Sequence, residues 1–295
     1  MTEFNSFLTN ASSSVGGELV FNAVGQYGQE QVATNPDLEF LYTECWPANG
    51  QTTYYDLQTA IDDNNSWSNN ETSTVLAAYP DQAYGDDHSA SAPGFFNTPG
   101  ALYLDAAIFA SGGDHIELGD VDHMLAEPDY VSDSLYMPAA LQRAMVNYYN
   151  FLTAYEDLLR NGETPNSNVI DLPAGPATST DGPAGTVWTF ASSTAGASST
   201  SGTDVLQFIN MLDLTSNAWM DTDADQPAPR AQHNLQVKYY YKSTLPPVSV
   251  YVASPDVNGG AAQDLPFKIG TDSGGNYVAF ILPSLDYWDM AWVNY

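Results

Sequence analysis

Hydrophobic residues in the first half of the chain form short continuous runs that alternate with helical patterns. Runs of this kind are typical of parallel strands buried on both faces. Four of them predict strands: ELVFNAVG (18–25), EFLYTECW (39–46), STVLAAY (73–79) and DHIELGD (114–120). Three other segments predict helices: YYDLQTAIDD (54–63), ALYLDAAIFAS (101–111) and a long one over residues 135–160. This repeated β-α order predicts an α/β architecture for residues 1–165.

The pattern changes after about residue 162. The stretch ETPNSNVIDLPAGPATSTDGPAGT is rich in proline, glycine, serine and threonine, which is typical of a connection between domains. Short β-type segments separated by turn residues follow it. They are TVWTFASS, VLQFINMLDL, LQVKYYYKS, VSVYVAS, NYVAFILPSL and YWDMAWVNY. This pattern predicts an antiparallel β-sandwich domain for residues 166–295.

Charge changes the interpretation of the surface. The chain has 36 acidic and 6 basic side chains and a formal net charge of -30. Clustered lysine and arginine, which phosphate binding requires, are absent, so nucleic acid is excluded as a partner and anionic membranes are disfavoured. Because molar salt screens such a self-repelling surface, we expect a protein adapted to a high-salt environment. An ordinary acidic secreted protein is the alternative.

Cysteine and histidine usage limits the chemistry. Cys45 is the single cysteine, so an internal disulfide is excluded, and its apolar neighbours predict a buried thiol. The four histidines lack zinc-site spacing, and the acidic loop LGDVDHMLAEPD does not match an EF-hand. We therefore expect no metal and no cofactor. No signal peptide is visible at the start, and no apolar run has membrane-spanning length.

Polar and aromatic side chains stand where the predicted strands end. In an open α/β sheet or a β/α barrel, the carboxyl ends of parallel strands carry the ligand site. Glu44 is the carboxylate in this position on the second strand, so it is either a solvated strand end or a proton donor. The other residues at strand ends are Asn22, Trp46, Tyr79, His115 and Glu117.

Several stretches together resemble glycoside hydrolase family 66, the family of dextranases and cycloisomaltooligosaccharide glucanotransferases. They are FNAVGQYG (21–28), FLYTECWP (40–47), VLAAYP (75–80), GGDHIELGD (112–120), YYNFLTAYEDLLRNG (148–162), VYVASPDVNGG (250–260) and PSLDYWDMAWV (283–293). They occur in the order that the family has. The resemblance implies a retaining enzyme that cleaves α-1,6-glucan and is built on a (β/α)8 barrel.

The resemblance also implies roles for the strand-end residues. The family's acid/base glutamate lies in a motif similar to YTECW, so Glu44 is expected to be the acid/base. Tyr42 and Trp46 are expected to supply an apolar environment and a sugar-stacking face, with core packing as the alternative for Trp46. The remaining candidates are expected to contact sugar hydroxyls or, alternatively, to form a hydrogen-bonded network at the barrel mouth. They are Asn22, Tyr79, His115 and Glu117.

One departure from the family is informative. Family members carry the nucleophilic aspartate at the end of the fourth barrel strand, and no aspartate precedes the FNAV stretch here. The matched segments correspond to strands five to eight. The resemblance therefore predicts a partial (β/α)8 barrel followed by the sandwich, with the nucleophile not present in this chain. An upstream half-barrel polypeptide is then a possible partner.

Several functions follow from these observations. The first is a dextranase-like hydrolase that acts on α-1,6-glucan or a related oligosaccharide, with the isolated chain inactive. A cyclising α-1,6-glucan transglycosylase and a non-catalytic glucan-binding remnant are the alternatives. A structural surface protein would fit the acidic composition but not the ordered family stretches. The resemblance implies an extracellular location.

Overall fold

The structure, a computed structural model, describes residues 2–128, 133–194 and 202–295. Contacts along the chain divide it into two compact units. Unit 1 comprises Met1–Phe96, Ala107–Met137 and Ala218–Ala224. Unit 2 comprises Asn97–Ala106, Pro138–Asn217 and Asp225–Tyr295. A domain boundary between residues 165 and 166 stays a prediction.

Helices and short strands alternate up to residue 159. The helices are α1 (Thr2–Val15), α2 (Tyr54–Trp67), α3 (Gln82–Asp86), α4 (Thr98–Ala110), α5 (Ala139–Ala154) and α6 (Glu156–Leu159). The strands are β1 (Leu19–Asn22), β2 (Leu38–Glu44), β3 (Thr74–Ala77), β4 (Gly94–Phe95), β5 (Asp114–His115) and β6 (Leu135–Tyr136). None of the described helices combines the length and the apolar character needed to cross a membrane.

Strands dominate the described residues after 159. The first five are β7 (Thr164–Asn166), β8 (Val169–Asp171), β9 (Thr178–Ser179), β10 (Val187–Ser193) and β11 (Thr203–Asn210). The others are β12 (Gln232–Tyr240), β13 (Ser249–Ala253), β14 (Gln263–Asp264), β15 (Phe267–Asp272), β16 (Gly275–Leu285) and β17 (Trp288–Asn294).

Unit 1 is organised around a four-stranded parallel sheet with the order β1-β2-β3-β5. The prediction of parallel strands is confirmed. Helix α2 follows β2 because Thr53 and Asp56 form a capping box: the Asp56 amide donates to the Thr53 hydroxyl (3.2 Å), and the Thr53 amide donates to the Asp56 carboxylate (2.7 Å). Strands β4 and β6 form a second, two-stranded parallel sheet.

Unit 2 contains two antiparallel sheets that share one core. One sheet has the order β14-β13-β17-β11-β10-β7, with β9 pairing in parallel with β10, and the other has the order β15-β16-β12-β8. Alternate residues of each sheet enter the core, as Leu235, Val237 and Tyr239 do on β12. All six β-type segments predicted for this half are strands. The prediction of an antiparallel β-rich second half is confirmed.

Two predicted elements differ from the structure. The long helix expected over residues 135–160 is α5 followed by α6, and residues 135–136 belong to a strand instead. Pro138 explains the start, because a proline disfavours helical geometry in the residue before it. The strand expected over residues 114–120 ends at His115, since Leu118 forms a β-bridge with Met124 and the chain turns back.

Candidate active site

Strand β2 presents two different faces at its carboxyl end. Leu41, Thr43 and Cys45 are buried, whereas Tyr42 and Glu44 are partly exposed on the opposite face. This alternation follows from the two-residue period of a strand. Burial raises the pKa of the Cys45 thiol, which fits the predicted inert thiol rather than a nucleophile.

The buried face of β2 is fixed by a polar network. The Thr43 hydroxyl donates to Gln29 Oε1 (2.6 Å) and accepts from Asn64 Nδ2 (3.2 Å) on helix α2. Gln26 Nε2 in turn donates to Asn64 Oδ1 (3.1 Å). Buried polar groups that satisfy one another in this way make a site rigid. Contacts on the opposite face of the sheet therefore fix the strand end that carries Glu44. The sequence patterns did not reveal this contribution.

The Glu44 carboxylate is held by two neutral donors. Asn22 Nδ2 donates to Glu44 Oε2 (2.9 Å), and Trp46 Nε1 donates to Glu44 Oε1 (2.7 Å). Asn22 reaches Glu44 because β1 pairs with β2 in a register that aligns Asn22 with Tyr42. Each carboxylate oxygen thus has a fixed direction, and no lysine, arginine or histidine among the described residues forms an ion pair with this carboxylate. The carboxylate stays partly exposed at this strand end.

Aromatic side chains lie at the same strand ends as this carboxylate. The Trp46 and Tyr79 ring centroids lie 5.7 Å apart with an interplanar angle of 40°, and Tyr79 is buried. Tyr42 lies two residues before Glu44 on the same face of β2. The structure therefore brings together five of the predicted residues: Asn22, Tyr42, Glu44, Trp46 and Tyr79. Trp46 acts on the carboxylate through its indole N–H, a contact that the prediction of a stacking face did not include.

His115 and Glu117 occupy a different position. His115 aligns with Leu76 on β3, and Leu76 aligns with Thr43, so His115 lies on the sheet face opposite to that of Glu44. Both side chains are buried, and His115 Nδ1 lies 3.2 Å from Glu117 Oε2. His115 Nε2 lies 3.0 Å from the Ala78 carbonyl oxygen. This geometry fits the alternative of a structural network; a role in sugar binding stays a prediction.

Two of the acidic residues in the loop after β5 are exposed. Asp120 and Asp122 are exposed, and Asp122 lies in a left-handed backbone conformation (φ 62°). Exposed carboxylates in a protein this acidic are typically solvated surface groups. The absence of a metal and of a cofactor stays a prediction.

A segment distant in sequence supports the loop after Glu44. Trp219 is fully buried in the part of unit 1 formed by Ala218–Ala224. Its indole N–H donates to the Gln51 carbonyl oxygen (2.7 Å), and its amide donates to the Thr52 carbonyl oxygen (3.3 Å). Gln51 Oε1 in turn accepts from the Trp46 amide (3.2 Å). Sequence reasoning missed this residue; the signal available was a lone tryptophan in a polar connection between two predicted strands.

We expect Trp219→Phe to lower the free energy of unfolding by about 1–3 kcal/mol, because the buried Gln51 carbonyl loses its donor. Trp67→Phe is the matched control, since the Trp67 indole N–H makes no hydrogen bond to any described residue. Urea denaturation of the two variants and the wild type measures the difference. Equal losses in both variants would show that the Trp219 N–H contributes nothing beyond ring volume.

Comparisons with known proteins extend these observations. The sequence pattern of glycosyl hydrolase family 66 matches residues 1–292. A cycloisomaltooligosaccharide glucanotransferase of Niallia circulans is 40% identical over 205 residues, which is 68% of this chain and 20% of the relative. A dextranase of Streptococcus salivarius is 27% identical over an alignment of 342 residues that covers 100% of this chain and 40% of the relative.

A solved structure shares the fold. It is the cycloisomaltooligosaccharide glucanotransferase of Paenibacillus sp. complexed with cycloisomaltoheptaose, with a TM-score of 0.83, 22% identity, and coverage of 98% of this chain and 57% of that chain. The chain spans between one fifth and two fifths of the length of the two curated relatives. The pattern match over nearly the whole chain identifies its family: the protein belongs to glycosyl hydrolase family 66.

Proposed function

We propose that this chain carries the acid/base half of a retaining glycosidase that cleaves α-1,6-glucan, with Glu44 as the acid/base. The observation that carries the proposal is the Glu44 carboxylate itself, which stands at a strand end between the Asn22 and Trp46 donors. The names of the relatives, a dextranase and a cycloisomaltooligosaccharide glucanotransferase, support α-1,6-glucan as the substrate class.

The chemistry assigned to Glu44 has two steps. Its carboxylic acid protonates the departing glycosidic oxygen, and its carboxylate then removes a proton from the water that attacks the glycosyl intermediate. Asn22 and Trp46 hold the two carboxylate oxygens in fixed directions during both steps. Tyr42 and Trp46 offer aromatic surface on which a sugar ring can pack. A sugar hydroxyl in place of water would give cyclising transglycosylation instead.

A further barrel half is part of the proposal. Parallel sheets in α/β proteins are covered on both faces, but the face of this sheet that carries Glu44 leaves Phe40, Tyr42 and Val75 partly exposed. Val20, on the same face of β1, is 47% exposed. Further parallel strands, either on an additional segment or on a separate polypeptide, would cover this apolar face. They would also supply the nucleophilic carboxylate, which retaining chemistry requires about 5 Å from the acid/base.

Hydrolysis is the preferred outcome within this proposal. Glucanotransferases of the family are expected to carry a carbohydrate-binding insertion, and the sequence leaves no room for one between the matched strands. A non-catalytic glucan-binding protein is the second candidate, because one catalytic carboxylate without its partner can bind glucan but cannot cleave it. An extracellular location and a high-salt environment remain part of the proposal; the net charge of -30 supports the second.

The test is release of reducing sugar from dextran. We expect the chain alone to give the rate of buffer and to become active when it is fused to the preceding barrel half of a family 66 dextranase. Cleavage by the chain alone would show that a carboxylate of this chain is the nucleophile. A folded fusion that binds dextran without cleaving it would favour the glucan-binding alternative.

A further inference from the structure

Two aromatic rings stand on the face of the seven-stranded sheet that points away from the core shared by the two sheets of unit 2. Val250, Val252 and Val293 point into the core, so Tyr251 and Trp292, which alternate with them, point to the opposite face. Tyr251 is the register partner of Trp292 on the neighbouring strand. Their ring centroids lie 5.3 Å apart, and the ring planes differ by 21°. The two rings therefore form a preformed stacked pair on this face.

A third ring joins the pair. The Tyr155 ring centroid lies 5.6 Å from that of Trp292, at an interplanar angle of 52°. The Tyr155 hydroxyl donates to the Gly260 carbonyl oxygen (2.7 Å), which fixes the direction of this ring. We call Tyr155, Tyr251 and Trp292 the aromatic corner. The third ring is therefore tilted relative to the stacked pair.

The aromatic corner is partly open to solvent. Each of its three side chains is of intermediate exposure. In contrast, Trp188 on β10 and Trp288, four residues before Trp292 on β17, are fully buried, as core aromatics usually are. Packing within the fold therefore accounts for only part of the surface of these three rings, and the rest is available to a ligand.

A line of neutral polar groups borders the aromatic corner. It lies two residues further along β17 from Trp292 and includes the strand-register partners of Asn294. The Thr203 hydroxyl donates to Asn294 Oδ1 (2.7 Å), and Asn294 Nδ2 donates to Ser249 Oγ (2.9 Å). We call Thr203, Asn294 and Ser249 the polar row. Each member keeps hydrogen-bonding capacity after these contacts: the Ser249 hydroxyl can still donate its own hydrogen, and Asn294 has a second N–H.

Charge identifies the class of ligand. None of the six residues is charged, although the chain as a whole has 36 acidic side chains. The nearest charged group by strand register is Asp264 on β14, the partner of Tyr251. Cationic ligands would prefer the acidic surface elsewhere, and anionic ligands would meet no lysine or arginine among these residues. A neutral molecule with apolar faces and hydroxyl edges matches both parts of the surface.

We propose that the aromatic corner and the polar row form a second carbohydrate-binding site, separate from Glu44, for a segment of neutral glucan. The C–H faces of pyranose rings pack on Tyr251, Trp292 and Tyr155. Sugar hydroxyls bond to the polar row and to the Asp264 carboxylate. The choice of glucan rests on the proposed function, and the site holds the polymer on unit 2.

The test is calorimetric titration of the whole chain with isomaltoheptaose. Four proteins are compared: wild type, Trp46→Ala, Tyr251→Thr and the double variant. Threonine keeps strand propensity at residue 251 while removing the ring. Trp46→Ala is expected to leave residual binding, and the double variant is expected to weaken that residual binding about tenfold, the effect of losing about one aromatic contact.

A second variant shows whether weaker binding results from a lost contact or from misfolding. Ser249→Ala, combined with Trp46→Ala, removes one hydroxyl of the polar row without altering a ring, and it is expected to weaken the residual binding about fivefold. Thermal melts establish that each variant is folded. The exposed Tyr27→Thr in unit 1 is the matched control and is expected to leave binding unchanged; Tyr27 is 83% exposed.

The outcomes separate this inference from the proposed function. If Tyr251→Thr and Ser249→Ala bind as their parent proteins do, the second site is refuted while the Glu44 site stands. If Trp46→Ala binds like the wild type and Tyr251→Thr abolishes binding, the second site stands and the Glu44 face does not bind glucan. If no protein binds the oligosaccharide, the second site is refuted, and the proposed function is decided by the activity of the fusion.

Discussion

Replacing Glu44 with glutamine in the enzyme completed by fusion is expected to lower dextran hydrolysis about 10²–10⁴-fold. The glutamine side chain keeps the shape, and its single amide oxygen can still accept from one of the two donors, Asn22 or Trp46, but it cannot protonate the departing sugar oxygen. Glu39→Gln is the matched control, because Glu39 is an exposed carboxylate on the same strand. Rates of reducing-sugar release from dextran measure both effects.

Substrates with different leaving groups sharpen the assignment. A glycoside whose leaving group departs without protonation needs no general acid, so Glu44→Gln is expected to spare formation of its glycosyl intermediate. Azide is expected to raise turnover of such a substrate, because it replaces the water that Glu44 no longer activates. If the variant cleaves dextran at the wild-type rate, Glu44 is only a polar strand end and the acid/base assignment is wrong.

A second large effect is expected from buried carboxyl groups in unit 2. Asp256 accepts from the Tyr148 hydroxyl (3.0 Å) and from the Tyr287 (3.0 Å) and Trp288 (2.9 Å) amides, yet burial raises its pKa to about 6. Asp289 is 2% exposed, and burial raises its pKa well above the usual range. Ionising either group in the folded state therefore costs more than it does in the unfolded chain.

The sign of the pH dependence follows. An aspartate whose pKa is raised in the folded state contributes to stability while it is protonated. This contribution is fully present below about pH 4, the pKa in the unfolded chain, and it is lost as the pH rises through the folded-state pKa. For Asp256 the difference between 3.8 and about 6 corresponds to about 3 kcal/mol of stability lost by pH 7. Asp62 and Glu163, whose pKa values burial raises to about 6 and about 7, add to the trend.

Asp289→Asn tests this prediction, because asparagine stays neutral at every pH. We expect the wild type to be more stable at pH 5 than at pH 8, and the variant to lose less stability over the same interval. Urea denaturation at several pH values and constant high salt measures both slopes, and the exposed Asp264→Asn serves as the control. An unchanged slope in Asp289→Asn would show that Asp289 is as ionised in the fold as in the unfolded chain over this interval, so that burial does not raise its pKa.

Local patterns in the sequence were sufficient for part of the fold. Continuous apolar runs identified the parallel strands of unit 1, and short alternating segments identified the strands of unit 2, because burial of one or both strand faces leaves a period that can be read directly. The position of Glu44 at the end of β2 followed from the same run. The helix over residues 135–160 was placed too early because the effect of Pro138 was not weighed.

The candidate site could be located from the sequence but not assembled from it. Strand-end reasoning predicted Asn22, Glu44 and Trp46 as neighbours, and the resemblance to family 66 gave them roles. The direction of each hydrogen bond depends on register, and the β1–β2 register is not written in either strand alone. His115 was grouped with Glu44 because both follow apolar runs, yet strand alternation places it on the opposite face.

The sequence by itself determined the pattern of strands and helices in the two halves, the acidic surface, the inert cysteine and the family. Each of these is a property of composition or of residues close together along the chain. Only the tertiary structure decided that Trp219 supports the loop after Glu44, 168 residues from its partner Gln51, and that Tyr155 meets Trp292 beside a polar row. Such contacts depend on how segments distant in the sequence pack against one another. No local sequence period encodes that packing, because it involves the whole fold.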